Sequence, residues 1–479
     1  MPIADFWQPL LRDDAIWAGL TATEAQREEI VRRLSLGEIA IPTGTLSDSP
    51  QTVFNNDTAP VFIQRLIGKK EFIVPLRYVH LVDFFLRRGS TSVEKSGNQQ
   101  QALAMLNQGK DLLISGGPGT GKSYLIEQFL AKLATQGGTR PKRIVIAAPT
   151  GKAAARFSHQ QNTGGILLEC STIHRVLGIG NTQSRPRYHR RNPIACDILI
   201  IDEISMVELS LFTALIDALP PHAQLVVAGD LNQLPAVGGL PVDRALALLT
   251  EQNLIQHSAL TVVHRFSAEK AALYAAIAVQ GIAAATDFLQ TFTPRELTHF
   301  ITGYALEHYA SAASNALRLR LETELFNDAS CEAAVKEALR YNAQHMILCE
   351  RREGLGSSLW INRRIRETLT GSRETLTPIV ATANNYRLGI FNGDTGVLVT
   401  HAQGNFAVFI TADGKLRRLP ANELSGRDDA WALTIHKSQG SEYQDVYVIT
   451  DGKNTATDHR LLYTAVTRAR NNAVIFRLV

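Results

Sequence analysis

A glycine-rich loop between an apolar run and a helical pattern restricts this chain more than any other feature. Residues Gly116–Ser123 read Gly-Gly-Pro-Gly-Thr-Gly-Lys-Ser, with the run Leu112–Ser115 before them and the helix-like segment Tyr124–Leu133 after them. The glycines permit backbone angles closed to other residues, so successive N–H groups can turn toward an anion at a helix N-terminus. A strand, such a loop and a helix in succession predict an α/β domain that binds a nucleoside triphosphate.

Two side chains of this loop carry the predicted chemistry. Lys122 can reach the β- and γ-phosphates, and the Ser123 hydroxyl can sit on Mg²⁺. The residues predicted to bind the nucleotide are Gly116, Gly117, Pro118, Gly119, Thr120, Gly121, Lys122 and Ser123. A glycine-rich turn that binds nothing is the alternative, and the flanking strand and helix argue against it. The expected cofactors are therefore ATP and Mg²⁺.

An acid pair, Asp202 and Glu203, directly follows the apolar run Ile198–Ile201. A carboxylate at a strand end can hold Mg²⁺ through water, and a second carboxylate can polarise the attacking water as a general base. We assign the first role to Asp202, as a metal-binding residue with Ser123, and the second to Glu203. An acid pair that only caps the next helix is the alternative. Farther along, Gln233 is the predicted sensor of the γ-phosphate.

Short apolar runs alternate with helical stretches after Gly97, and this alternation indicates a parallel sheet. The predicted strands are Leu112–Ser115, Arg143–Ala147, Ile198–Ile201 and Leu225–Ala228. Continuous apolar strands separated by helices are what a sheet buried on both faces requires. The predicted fold class is α/β, with the nucleotide at the carboxyl edge of the sheet.

Bulk composition is that of an ordinary globular protein. A chain of 479 residues suggests roughly three domains. The sequence shows no basic leader with a long apolar run and no stretch of about 18 apolar residues, so we expect no export, no membrane contact and a cytoplasmic location. The four cysteines form no C-x-x-C pair, which argues against a zinc or disulfide framework. A formal charge of +4 is too weak to prove a nucleic-acid partner.

Outside the first α/β region the sequence shows other secondary-structure patterns. The N-terminal region has a helical pattern at 23–36 and two predicted hairpin strands, 60–64 and 71–75. Residues 268–339 are alanine-rich and helical. From Pro378 to Glu423 short runs are broken by turn dipeptides, which predicts a small β-barrel or β-sheet insert.

Two further segments combine hydroxyls and basic groups near predicted strand ends. They contain Thr150 with Lys152, and Thr172 with His174. Such groups suit contacts with a phosphodiester backbone, but each segment could equally be a helix cap. Arg468 is the candidate for an arginine finger, which would reach a γ-phosphate from a second domain, and Arg265 is another.

Taken in order, these segments resemble the motifs of superfamily-one DNA helicases, and among those the RecD family. Besides the phosphate loop, the matching segments are Ala148–Arg156, Ser171–Arg175, Asp202–Met206, Gly229–Leu234, His264–Phe266, Leu388–Gly396, His436–Glu442 and Tyr463–Arg470. The match spans roughly Gly97 to the C-terminus. Its most specific parts are Phe391–Gly396 and the closing Tyr463–Arg470 run. His264 departs from the family, which usually has an aromatic residue there.

The resemblance implies two RecA-like parallel-sheet motor domains with ATP between them, a small β-barrel (SH3-like) insert and a small N-terminal domain. The implied N-terminal partner-docking domain spans 1–90. The first motor domain spans 91–258 and has a small hairpin insert at about 176–193. The second motor domain spans 259–479 and has the SH3-like insert at about 396–426. The family also implies translocation along single-stranded DNA in the 5′ to 3′ direction.

Individual roles follow from the same resemblance. Gln99 would hold the adenine, and Arg265 and Arg468 would contact the γ-phosphate. Gln439 would couple the nucleotide site to DNA. The residues implied to touch the DNA strand are Thr150, His174, Thr434 and His436.

Members of the RecD family work with RecB and RecC in a helicase–nuclease that processes DNA duplex ends. The resemblance therefore implies RecB-like and RecC-like partners and a role in double-strand break processing and recombination. A stand-alone RecD-like helicase is one alternative, and a subunit that binds ATP only as a switch is another. A nuclease in its own right is the third. We find no acidic cluster for it outside the ATPase motifs, so nuclease activity is expected to belong to a partner.

Overall fold

The computed structural model describes most of the chain from Asn98 onward. The described residues are 27, 81, 84–85, 88, 95–96, 98–135, 140–157, 165–180, 185–236, 240–369, 376–383, 385, 387–411, 414–424, 426–451 and 456–479. Both predicted hairpin strands of the N-terminal region, and all of its predicted helix except Arg27, lie outside them. The chain divides into two compact units, Met1–Leu231 with Pro235–Val262, and Asn232–Leu234 with Val263–Val479.

In the described part of the first unit, seven strands form one sheet in which all neighbours run parallel. The strands are β1 (Lys95–Ser96), β2 (Leu112–Gly116), β3 (Lys142–Ala148), β4 (Ile166–Thr172), β5 (Ile198–Ile201), β6 (Gln224–Gly229) and β7 (Gln256–Leu260). Their order across the sheet is β1-β7-β2-β6-β5-β3-β4. Parallel neighbours need long crossover connections, which the helices of this unit supply.

Those helices cover both faces of the sheet. They are α1 (Gln99–Asn107), α2 (Lys122–Thr135), α3 (Gly151–Ala155), α4 (Ile173–Val176), α5 (Leu209–Ala218) and α6 (Asp243–Glu251). Along β2, Leu113 packs into one apolar core, and Leu112 and Ile114 pack into the other. Successive side chains of a strand point to opposite faces, so a strand that is apolar throughout is buried from both sides. The predicted α/β fold class is confirmed here.

All four predicted strands are present as β2, β3, β5 and β6, each at most one residue longer at either end. Strands β4 and β7 were not predicted. The sequence of β7, Gln-His-Ser-Ala-Leu, has no apolar run, yet this strand pairs with β1 and β2 inside the sheet. Because β7 belongs to the first sheet, the division between the two units falls at Val262, shortly after the predicted 258/259 boundary.

The described part of the second unit contains two sheets. Its strands are β8 (Leu289–Phe292), β9 (His345–Cys349), β10 (Thr377–Ala381), β11 (Thr395–His401), β12 (Gly404–Ile410), β13 (Leu416–Pro420), β14 (Arg427–Asp429), β15 (Ala432–Thr434), β16 (Tyr443–Thr450) and β17 (Ala469–Leu478). A five-stranded parallel sheet has the order β15-β9-β16-β17-β8. The second unit therefore also contains a parallel sheet with helices, as the resemblance implies.

The other sheet of this unit is antiparallel, with the order β13-β12-β11-β10-β14. It spans Thr377–Asp429 and so extends beyond the predicted 396–426 on both sides. The prediction of a small β insert is confirmed as a sheet, and its assignment as an SH3-like barrel stays a prediction. At Gly393 the backbone has φ +94, a left-handed angle that suits glycine in the turn before β11.

Helices surround both sheets of the second unit. They are α7 (Ala268–Gln280), α8 (Pro294–Tyr309), α9 (Ala312–Glu324), α10 (Asp328–Asn342), α11 (Ser358–Leu369) and α12 (Ala456–Val466). The alanine-rich region predicted to be helical contains α7 to α10, and also β8, which was not predicted. Leu321 of α9 and Val335 of α10 share a core with Val397 and Val408 of the antiparallel sheet. These two helices therefore support the insert.

Several described residues of the predicted N-terminal domain belong to the first unit's packing. Leu81 and Phe85 are buried in its core. Arg88 forms an ion pair with Asp111, with Nε 2.7 Å from Oδ2, and donates to the backbone carbonyls of Pro221 and Ala223 in the turn before β6. Among the described residues, no helix is long and apolar enough to cross a membrane.

Candidate functional site

The carboxyl ends of five neighbouring strands of the first sheet bring the predicted site residues to one edge. The phosphate loop follows β2, Asp230 follows β6, and Asp202 follows β5. Thr150 follows β3, and Thr172 ends β4. In the order β2-β6-β5-β3-β4, the predicted nucleotide residues therefore lie beside the predicted DNA residues. This is the edge at which open parallel sheets bind ligands.

Side chains of the phosphate loop donate hydrogen bonds to backbone carbonyls of the same loop. Lys122 Nζ donates to the carbonyls of Gly116 and Gly117 at 2.6 and 2.9 Å, and Thr120 Oγ1 donates to Gly117 at 2.8 Å. Gly119 and Gly121 have φ of +77 and +86, angles that favour glycine. The loop is thus held in the curved form in which backbone N–H groups can surround a phosphate, at the start of α2.

Gln99 lies against this loop. Its Nε2 donates to the Thr120 carbonyl at 3.0 Å, and a Cβ added to Gly121 would stand 2.0 Å from the same nitrogen. A side chain at position 121 would therefore displace the Gln99 amide. The structure therefore brings Gln99 to the phosphate loop, and its role as the adenine contact stays a prediction.

The acid pair occupies a buried, strained turn. Glu203 is a non-glycine residue with φ 54, in the left-handed region, and is followed by a short 3₁₀ turn, Ile204–Met206. Such a conformation costs about 1–3 kcal/mol and is concentrated at functional sites. Asp202 is 2% exposed. Burial, and next the neighbouring Glu203, raise the pKa of the Asp202 carboxyl, whereas Arg156 opposes the rise.

Arg156 joins the loop and the acid pair, and sequence analysis assigned it no role. Its Nη1 donates to Ser123 Oγ at 3.2 Å and lies 3.5 Å from Asp202 Oδ2, and its Nη2 lies 3.6 Å from Glu203 Oε1. The only available signal was its place at the end of the Ala148–Arg156 segment quoted for the family. Nothing in the sequence pattern relates that position to Ser123, which is 33 residues away.

These residues fit Mg²⁺. Asp202 Oδ2 is buried and, among the described residues, accepts no hydrogen bond, although the Arg156 guanidinium lies 3.5 Å away. A cation, or water bound to one, could take the place of that contact. The Ser123 hydroxyl and the Asp202 carboxylate are hard oxygen donors of the kind that Mg²⁺ takes from proteins. Lys122 and Glu203 frame the same space from the loop and from the strained turn.

The loop after β6 comes close to the acid pair. A Cβ on Gly229 would meet the Ile204 backbone nitrogen at 2.9 Å, so only glycine lets β6 end against the turn that carries Glu203. Asp230 and Gln233 follow, and both are buried. Another contact that sequence analysis missed lies beneath the phosphate loop, where Ser115 Oγ and His257 Nε2 are 2.7 Å apart.

In the second unit, Arg265 is held by a carboxylate that was not predicted. Its Nη1 donates to Glu442 Oε1 at 2.7 Å, and its guanidinium lies over the Phe266 ring at 5.3 Å. Arg470 donates twice to Glu442 Oε2, at 2.9 and 3.1 Å. The Nη2 of Arg265 is buried and has no acceptor among the described residues, so one donor remains available for an oxyanion.

Burial would raise the pKa of Glu442, but the two arginines outweigh it and lower the pKa below its ordinary value. Glu442 is therefore ionised at neutral pH. A carboxylate bound to two guanidinium groups fixes the position of both, because charge-assisted hydrogen bonds are shorter and stronger than neutral ones.

Arg468 and Gln439 are buried in the same unit. Arg468 Nε donates to the Thr464 carbonyl at 3.1 Å and its Nη1 to the Ser441 carbonyl at 3.4 Å. Leu234 is held from both sides, since its N–H donates to Thr464 Oγ1 at 2.9 Å and its carbonyl accepts from Gln439 Nε2 at 3.2 Å. Gln439 thus contacts the residue that follows Gln233, the predicted γ-phosphate sensor.

The predicted DNA contacts of the first unit differ in their local roles. Thr150 is the N-cap of α3, and its hydroxyl accepts from the Ala153 N–H at 3.2 Å. Thr172 stands at the N-cap position of α4 but makes no side-chain cap bond. Lys152 and His174 are exposed. The capping interpretation is therefore correct for Thr150, and the hydroxyl of Thr172 is not used in that way.

In the second unit, Thr434 is buried and its Oγ1 accepts from the Lys437 N–H at 3.3 Å. Lys437 Nζ donates to Asp428 at 3.0 Å. Burial lowers the pKa of His436, so this imidazole is neutral at pH 7. A contact that it makes to DNA would be a hydrogen bond of a neutral ring and not an ion pair.

The predicted hairpin insert at about 176–193 is a loop whose ends are joined. The N–H groups of Arg187 and Tyr188 both donate to the Leu177 carbonyl, and His189 and Asn192 bridge a tight turn. Arg190 at this turn forms an ion pair with Asp217 at 3.5 Å. The described part is compact, and its assignment as a hairpin insert stays a prediction.

Two family models match this chain, one mainly in the first unit and one in the second. A family described as an AAA domain matches residues 99–239. A second family, the UvrD-like helicase C-terminal domain, matches residues 429–476. The two matches contain the phosphate loop and acid pair on one side and the Gln439 and Arg468 segments on the other.

Individual relatives are similar over most of the chain. The RecBCD enzyme subunit RecD of Mycolicibacterium smegmatis is 34% identical over 403 residues, which is 78% of this chain and 69% of that protein. The ATP-dependent RecD2 DNA helicase of Deinococcus radiodurans is 30% identical over 78% of this chain and 48% of its own length. A solved Bacteroides Pif1 bound to single-stranded DNA covers 79% of this chain and 91% of its own, with a TM-score of 0.44 and 17% identity.

Proposed function

We propose that this chain, which belongs to the RecD family of superfamily-one DNA helicases, moves along single-stranded DNA by hydrolysing ATP. The proposed direction is 5′ to 3′. The proposed assembly contains RecB-like and RecC-like subunits. Its substrates would be single-stranded DNA and duplex ends. The observation that carries the proposal is the sheet edge of the first unit, where the phosphate loop and the acid pair stand beside the strand ends that bear Thr150 and Thr172. Nucleotide and DNA would be held on adjacent strands of one rigid sheet.

In this proposal each residue of the nucleotide site has a defined task. The backbone of the phosphate loop binds the phosphates, and Lys122 releases the loop carbonyls to reach the γ-phosphate. Ser123 and Asp202 hold Mg²⁺, which when bound neutralises charge on the phosphate oxygens. Glu203 would orient and polarise the attacking water, and its Oε1 lies 3.6 Å from Arg156, which contacts Ser123 of the loop.

Residues of the second unit would complete the reaction. Arg265 and Arg468 would engage the γ-phosphate, and Glu442 would keep the Arg265 guanidinium oriented before it does so. Gln439 and Thr464 bind the backbone of Leu234, next to Gln233. A change at Gln233 on hydrolysis would therefore be transmitted to the segment that contains Thr434 and His436. The affinity of that segment for DNA would then change with the state of the nucleotide.

The first test is ATP hydrolysis by the purified chain with and without single-stranded DNA. We expect strong stimulation that declines as salt is raised, because contacts to the DNA backbone are electrostatic. The Lys122→Gln variant supplies the blank. Slow turnover that DNA does not change would favour the ATP-switch alternative.

Direction and partners need separate tests. A duplex with a 5′ single-stranded tail should be unwound, and the same duplex with a 3′ tail should not. Unwinding of the 3′-tailed duplex alone would contradict the proposed polarity. Co-purification with RecB-like and RecC-like proteins would support the assembly, whereas full unwinding activity with no association would favour the stand-alone helicase.

A further inference from the structure

Arg156 lies at the nucleotide site because the short segment that contains it is fixed at both ends. Thr150 caps the start of α3, and Phe157, immediately after Arg156, is fully buried in the core beneath the sheet. The Arg156 N–H donates to the Ala153 carbonyl at 3.2 Å and continues the helical turn. The backbone of Arg156 therefore has little freedom, and its side chain extends toward the acid pair.

The guanidinium group lies among the oxygens that the metal would use. Ser123 Oγ, Asp202 Oδ2 and Glu203 Oε1 are 3.2, 3.5 and 3.6 Å from its nitrogens. Lys122, a second cation that acts on Asp202, donates to carbonyls of the phosphate loop. Two neighbouring carboxylates in a buried position repel each other unless a positive charge is close to both, and Arg156 is that charge.

We propose that Arg156 is a counter-ion of the acid pair that competes with Mg²⁺ for Ser123 and Asp202, and so restricts metal binding to the moment when nucleotide phosphates also bind the ion. This inference deepens the proposed function and rests on it, because it assumes that Ser123 and Asp202 hold the metal. A guanidinium and a metal ion cannot share these oxygens, so Arg156 must turn away when the ion arrives. ATP adds its own phosphate oxygens to the metal and thereby offsets the loss of the Arg156 contacts.

The test uses Mn²⁺ as the probe, with the full chain in the absence of nucleotide, and measures free Mn²⁺ by electron paramagnetic resonance. Replacing Arg156 by glutamine removes the charge and retains a polar side chain. We expect Arg156→Gln to bind Mn²⁺ at least about tenfold more tightly than the wild type, because a competing positive charge within about 4 Å of the site is gone. Arg156→Lys, which keeps the charge, should return the affinity toward the wild-type value.

Matched variants separate this role from a structural one. Arg140→Ala removes another arginine of the same unit, one that pairs with Asp197 away from the loop, and should leave Mn²⁺ affinity unchanged. In Arg156→Gln/Asp202→Asn the gained affinity should disappear, because the ion has lost its carboxylate. Arg156→Ala serves as a second charge-removing variant, and thermal unfolding identifies any variant that has not folded.

Equal Mn²⁺ affinity in the wild type, Arg156→Gln and Arg156→Ala would overturn the proposal. Tighter binding that survives Asp202→Asn would overturn it as well, since the ion would then sit elsewhere. The proposed function is tested independently by DNA-stimulated ATP hydrolysis of the wild type. A chain that hydrolyses ATP normally but shows no effect of Arg156 on Mn²⁺ would retain the motor function and lose only this inference.

Discussion

Lys122 gives the sharpest test of the nucleotide site because, among the described residues, the hydrogen bonds of its ammonium group go to carbonyls of its own loop. Lys122→Gln should leave the fold intact and lower ATP turnover by at least about 100-fold, since one preorganised charge at the transferred phosphate is lost. Phosphate release and thermal unfolding would measure the two effects. Lys132→Gln, in the last turn of the same helix α2, is the control and should have normal turnover. Normal turnover in Lys122→Gln would remove Lys122 from the site.

Glu442 is the positioning residue for Arg265. Glu442→Gln keeps the shape but weakens two charge-assisted contacts, so we expect kcat for ATP to fall about tenfold with a smaller change in KM. If Glu442 acts through Arg265, the double variant Arg265→Ala/Glu442→Gln should lose no more activity than Arg265→Ala alone. Losses that multiply would contradict this. Glu367→Gln, which breaks an exposed pair with Arg364, is the matched control.

The same carboxylate predicts a dependence of stability on pH. Its two arginine partners, outweighing burial, lower the pKa of Glu442 below the ordinary 4.5. The stability that it contributes is therefore fully present above about pH 4.5 and is lost as the pH falls through the lower folded-state pKa. The difference in thermal unfolding temperature between the wild type and Glu442→Gln should be present at pH 7 and shrink below pH 4.5. A difference that is constant from pH 7 to pH 3.5 would contradict the ion-pair assignment.

Among the helices, α3 is short and begins at a side-chain cap. It has five residues, and the Thr150 hydroxyl accepts from the Ala153 N–H at its start. Thr150→Val should destabilise the first unit by about 1 kcal/mol, and Thr150→Ser should retain most of the stability. Thermal unfolding would compare them. Equal stability of all three proteins would leave DNA contact as the main use of this hydroxyl.

Helices α9 and α10 show why a region without site residues is nonetheless required. Their apolar faces share a core with the antiparallel sheet, through pairs such as Leu321 and Val335 with Val397 and Val408. A small sheet that is covered on one face needs such a partner to bury enough apolar surface. Helices α9 and α10 therefore support the insert.

For the chain as a whole, the predicted docking role of the N-terminal residues needs a deletion that spares the motor core. Leu81 and Phe85 are buried in the first unit, and Arg88 pairs with Asp111. Deleting residues 1–76 should abolish co-purification with RecC-like and RecB-like proteins but preserve DNA-stimulated ATP hydrolysis. Deleting residues 1–88 should also lower thermal stability, because two core side chains are lost. Retained assembly after the shorter deletion would refute the docking role.

Much of the fold and part of the site could be predicted because the signals are local. The phosphate loop is a continuous peptide with glycines where φ is positive, and β2, β3, β5 and β6 are apolar runs that a doubly covered sheet requires. Strands β4, β7 and β8 were not predicted, and neither β7 nor β8 is a continuous apolar run. β7 is stabilised by its neighbours β1 and β2, and β8 by β17 at the edge of its sheet.

The amino-acid order alone predicted the groups of the nucleotide site, namely a lysine and a hydroxyl on a phosphate loop and two acids at a strand end. The folded chain decided which groups hold those residues in place. Arg265 and Glu442 are separated by 177 residues, Ser115 and His257 by 142, and Arg156 and Ser123 by 33. Such contacts arise from strand order and register, which are set by burial of whole sheets, so no pattern within a single segment contains them.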